Sequence, residues 1–111
     1  MQIELYIDGE KKVFTAPFVP MLAKRKYLEI MARTEEKQKA NENYEPSFKE
    51  QLEEENELLN ILCNIVFGGQ FTIEQLLSGA SDEYVYAKLR EAVFGEKPSN
   101  EEDDSGNEMG K

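Results

Sequence analysis

The chain has 111 residues, a length that fits one domain, and carries 13 basic against 23 acidic side chains for a net charge of −10. That surplus repels phosphate backbones and anionic headgroups, so neither nucleic acid nor a membrane is expected as a direct partner. With no histidine and a single cysteine, Cys63, an internal disulfide, a cysteine–histidine dyad and the usual zinc ligand sets are all excluded.

Residues 2–16 read as a β-hairpin. Ile3, Leu5 and Ile7 alternate with polar neighbours, Asp8-Gly9 is a turn signal, and Val13–Ala16 returns as the second strand. A two-residue loop would set Leu5 opposite Lys12, whereas a four-residue loop (Asp8–Lys11) would set Leu5 opposite Phe14. The second pairing joins two apolar side chains and is the preferred expectation. Pro17 and Pro20 end the strand and lead into a helix over about 21–39, with Ala23, Tyr27, Ile30 and Met31 on one face and Leu28 widening the stripe.

After a polar break at residues 41–46, Ser47 and Glu50 form a capping box that opens a helix over 47–67. Its first half is charged. Its second half (Leu58, Leu59, Ile61, Leu62, Ile65, Val66, Phe67) is apolar nearly all round and is expected at the centre of the core. Gly68-Gly69 stops it. Thr72 and Gln75 make a second capping box for a short helix over 73–78. Ser81 caps a last helix over 82–94, with Val85, Leu89, Ala92 and Val93 on its inner face and Gly95 at its end. Residues 96–111 hold six acids, two lysines and one hydrophobic residue, Met109, a composition expected of a disordered acidic tail. The fold expected is therefore α+β and mostly α: one globular domain over 1–95, an N-terminal β-hairpin followed by a small bundle of three to four helices, then the tail.

Charge is segregated within the body. Six bases and three acids lie between Lys24 and Lys39, and six acids and one base between Glu45 and Glu57. The two helices that carry them would pair antiparallel, or else match neighbouring copies of the chain. Clusters that suggest chemistry have plainer explanations. Consecutive Glu53-Glu54-Glu55 point in different directions around a helix and do not converge on an ion. Asp103–Glu108 lacks the ligand spacing and flanking helices of a calcium loop. Gly68-Gly69 is not followed by the Lys-Ser or Lys-Thr of a phosphate loop. No leader is expected from Met1-Gln2-Ile3-Glu4, and no stretch approaches the ~20 apolar residues of a membrane span. No catalytic, metal or cofactor residue can be assigned, and no enzyme is expected. Most phenylalanines belong in the core, with Phe18, set between two prolines, the expected exception.

The order of segments is distinctive. The strand pair Ile3–Phe14 leads through Ala16-Pro17-Phe18-Val19-Pro20 to a basic helix at Lys24-Arg25-Lys26. After a charged middle comes Val66-Phe67-Gly68-Gly69-Gln70-Phe71-Thr72-Ile73-Glu74-Gln75-Leu76-Leu77-Ser78-Gly79. Over residues 1–95 this resembles the tail assembly chaperones of siphoviruses and prophages of low-GC Gram-positive bacteria. The resemblance implies a protein of the host bacterial cytoplasm, absent from the mature virion. It would bind the tape measure protein, keep it soluble while tail tube subunits polymerise around it, and then be displaced. A frameshifted longer form is often made in such systems. Phe18, Leu22, Tyr27 and Met31 are the candidate partner-binding residues, in apolar grooves beside the first long helix and the end of the second. Tail tube protein and further copies of the chain are other possible partners. Two alternatives stay open: an acidic inhibitor that mimics nucleic acid, and a structural virion subunit.

Overall fold

A computed structural model describes residues 1–95. The acidic tail expected over 96–111 lies outside these residues. The elements are a hairpin, β1 (Gln2–Ile7) and β2 (Glu10–Thr15), then helices α1 (Met21–Ala40), α2 (Phe48–Asn60), α3 (Ile73–Gly79) and α4 (Asp82–Phe94), with a π-helical turn over Ile61–Val66 continuing α2.

The strands pair antiparallel with Leu5 opposite Lys12 and Ile3 opposite Phe14, so the loop is the two-residue one and the preferred four-residue register is corrected. Turn chemistry decides it. Asp8 and Gly9 both take positive φ, 53° and 78°, the conformation that matches the twist of a tight hairpin. Shifting the register by two residues leaves every side chain on the same face, so core burial could not separate the two pairings. Phe14 still finds apolar neighbours: it faces Ile3 across the strands and packs on Phe71, ring centroids 5.0 Å apart.

The continuous helix expected over 47–67 changes its winding at Ile61. Phe67 N–H bonds to Leu62 O at 3.0 Å, one residue further back than in an α-helix, and Gly69 N–H reaches Cys63 O at 2.8 Å. Ile61, Leu62, Cys63, Val66 and Phe67 are all buried here, against neighbours on several sides. Gly68 and Gly69, at φ 62° and 82°, then turn the chain toward α3. Cys63 lies in this packing, where burial pushes its thiol up to about 11 and keeps it protonated and unreactive at neutral pH.

The remaining caps form as their sequences dictate. Ser47 and Glu50, then Thr72 and Gln75, bond reciprocally, and Ser81 Oγ accepts from Tyr84 N–H. The outer edge of β1 is covered by α3 and α4. Tyr84 Oη accepts from Glu4 N–H at 2.9 Å, and Gly79 sits against the backbone of Tyr6, where a Cβ would lie 2.8 Å from Tyr6 O.

The charge segregation is satisfied inside the chain. Arg33 pairs with Glu57 at 2.6 Å and Lys37 with Glu50 at 3.1 Å, while Thr34 Oγ1 donates to Glu54 at 3.0 Å. Rising numbers on α1 meet falling numbers on α2, so the helices run antiparallel. These contacts are half-exposed and specify orientation more than they stabilise. Glu50 is the one held hardest in its charged form. The Ser47 backbone N–H, then Lys37, lower its carboxyl from 4.5 to about 2. A carboxyl depressed on folding stabilises above its unfolded value, and that contribution is lost as pH falls from about 4.5 toward 2. The expected result is a gap in thermal midpoint between the wild type and Glu50→Gln at pH 6 that narrows as pH falls from about 4.5 toward 2 and closes only below it. A gap independent of pH would contradict this role for Glu50.

Candidate functional site

Ile3, Leu5, Ala23, Ile30, Leu58, Leu59, Ile61, Leu62, Phe67, Leu76, Val85, Leu89 and Val93 close the core, and no polar or charged residue is buried among the described residues. Nor does any group of histidine, cysteine, aspartate or glutamate among them converge to hold a metal ion. What the surface does offer is uncovered hydrocarbon.

A groove of about 860 Å³ lies between α1, α2 and the π-helical turn. The half-buried Ile65 and Ile73 supply its accessible apolar lining over the buried Ile30 and Ile61, and Lys26, Glu29, Arg33, Glu36 and Glu57 its charged one. On α1 the residues 26, 29 and 33 follow the spacing of one helical row. Leu22, four residues before Lys26 and 49% exposed, continues that row beyond the groove. Asn60 and Asn64, bonded to each other side chain to side chain, mark the turn of the π-helix, with Asn60 at the groove wall. A groove therefore lies beside the first long helix and the end of the second. The contribution of Ile73 from α3 could not be read from local pattern.

The four candidate contacts are not gathered into one patch. Phe18 is 69% exposed and Leu22 is exposed, but Tyr27 and Met31 are half-buried against the core. Tyr27 packs edge-on against Phe94, ring centroids 5.3 Å apart. Leu22 and Met31 are nine residues apart, half a revolution modulo whole turns, and so occupy opposite flanks of α1.

Other exposed hydrocarbon was not foreseen. Leu28, expected to widen the inner stripe of α1, is 50% exposed. At about 100° per residue it stands some 140° from Ala23 around the helix, and it joins Met21 and Ala32 on the outward face with Lys24 and Arg25. On α2, Phe48 and Leu52 project from the part of the helix that extends past the core. They continue the row of Leu59, which is covered. Spacing alone did not disclose this, because the row reads as core until the end of the body is known.

The chain matches the family described as phage tail chaperone protein over residues 1–111, and it belongs to that family. No curated protein and no solved structure matches it.

Proposed function

Starting from membership of the phage tail chaperone family, we propose that this protein binds the tape measure protein in the host bacterial cytoplasm. It keeps that protein soluble while tail tube subunits polymerise around it, and it is released before the virion is complete. The observation that carries the reading is the groove lined by Ile30, Ile61, Ile65 and Ile73 with charged residues along its sides. An amphipathic helix laid into it would bury its apolar side on Ile65 and Ile73 and leave its polar side to Lys26, Glu29, Arg33 and Glu57. A tape measure protein, long, helical and apolar, presents such segments along its length.

Reversibility follows from the character of the surface. The lining is open rather than enclosed, and the charged residues lose little by returning to water, so a tube subunit that covers the same apolar face can displace the chaperone. The net charge of −10 keeps the loaded complex dispersed while hydrocarbon is exposed. No chemical step is involved. Phe18 and Leu22 extend the contact along the start of α1. Tyr27 and Met31, on the other flank of α1, would support the helix from beneath.

Co-expression with the tape measure protein tests the proposal. The tape measure should move from the pellet to the soluble fraction and co-purify with this chain. A tape measure equally insoluble with and without the chain would refute it.

A further inference from the structure

Lys24 and Arg25 stand on the outward face near the start of α1, while Lys26, about 160° from Leu28 around the helix, faces the groove. Arg25 and Lys26 share a single carboxylate, Glu29, at 3.6 and 3.5 Å, and Lys24 has no ion-pair partner among the described residues. This end of the helix is therefore locally positive on a chain of net charge −10. Met21 (84% exposed) and Leu28 lie beside Lys24 and Arg25 as uncovered hydrocarbon. The body ends beside this surface. Phe94, the last residue of α4, packs on Tyr27, which lies one helical turn from Lys24. The sequence that follows, residues 96–111, carries six acids, two lysines and the lone hydrophobic Met109.

We propose that the acidic segment 96–111 docks on the outward face of its own α1, pairing its carboxylates with Lys24 and Arg25 and lying over Met21 and Leu28. Reach is no obstacle. At roughly 3.3 Å per extended residue the segment spans several times the distance from Phe94 to Met21, since six helical residues rise only about 9 Å. Tethering decides whether so weak a contact forms. A short flexible connection gives an effective concentration in the millimolar range, so even a contact of about millimolar affinity is substantially occupied within one molecule. The segment would serve as a resident cover for hydrocarbon on α1, replaceable by a partner that brings its own acids and apolar side chains. This inference does not depend on what that partner is.

Carbodiimide coupling of the full-length chain, with the products mapped by mass spectrometry, tests the contact. Mixing nitrogen-15 and nitrogen-14 protein separates links within a molecule from links between molecules. The expected result is same-molecule links from Lys24 to the carboxylates of Glu101, Glu102, Asp103 and Asp104. They should fade at about 1 M salt, where the screening length falls to roughly 3 Å, while the local Lys26–Glu29 link persists as the internal control. In the variant Arg25→Gln, links from the segment to Lys24 should drop several-fold while circular dichroism stays unchanged. Links spread evenly over Lys11, Lys49 and Lys88, links mainly between molecules, or none to α1 would each overturn the proposal.

Discussion

Replacing Leu62 with alanine is expected to lower the unfolding free energy by about 2–5 kcal/mol, the range for removing a fully buried leucine whose neighbours cannot collapse onto the space. Leu62 is 0% exposed, and its carbonyl accepts one of the long hydrogen bonds of the π-helical turn. Its neighbours Ile61, Cys63, Val66 and Phe67 are also buried, in a turn wound to serve several sides at once, so relaxation is limited. A domain of this size has a net stability on the order of 5–15 kcal/mol, and the loss is therefore a large fraction of the whole. Leu77→Ala is the comparison. That side chain is 54% exposed, and its removal should shift the urea midpoint little. Equal shifts for the two variants would mean that the π-helical turn is not the centre of the core.

Gly79→Ala tests the docking of α3 on the hairpin, and its sign is informative. Glycine within a helix is disfavoured against alanine by about 1 kcal/mol, so on helix propensity alone the substitution should stabilise. The structure opposes this. The added Cβ would sit 2.8 Å from Tyr6 O, 3.2 Å from Tyr6 N and 3.3 Å from the Leu5 Cβ. Two of these are backbone atoms of β1, which cannot swing aside as a side-chain tip would. Net destabilisation of about 1–3 kcal/mol is expected, the usual range for overpacking. The bond from Glu4 N–H to the Tyr84 hydroxyl should loosen with it, seen as faster amide exchange at Glu4. A rise in stability would show that α3 does not approach β1 this closely.

Much of the fold was legible because its signals are local. The Ser47–Glu50 and Thr72–Gln75 boxes, the Ser81 cap and the glycines at 68, 69 and 95 each depend on residues a few positions apart. The opposed charges of α1 and α2 were readable as well, and they form Arg33–Glu57 and Lys37–Glu50. What escaped was set by tertiary demand. The hairpin register turned on two positive φ values against an apolar pairing that Phe14 recovers elsewhere. The π-helical turn answers to neighbours on several sides, which no periodicity displays. Gly79 reads as an ordinary helix end until β1 lies against it. The candidate site was half legible. Its place beside α1 and the end of α2 followed from the apolar second half of α2, and Phe18 was rightly expected to be uncovered. Tyr27 was placed on the same apolar face as Ala23 and Ile30, and it shares its exposure with packing on Phe94. The uncovered Phe48 and Leu52 needed knowledge of where the body stops.

The chaperone reading rests on apolar contact within one groove. The direct measurement is the soluble fraction of co-expressed tape measure protein with the wild type, with Ile65→Glu in the groove, and with Phe48→Glu on the far side of α2, each variant first checked for wild-type circular dichroism. The account predicts that Ile65→Glu returns the tape measure to the pellet while Phe48→Glu keeps it soluble. Full solubility with Ile65→Glu, or its loss with Phe48→Glu alone, would contradict it.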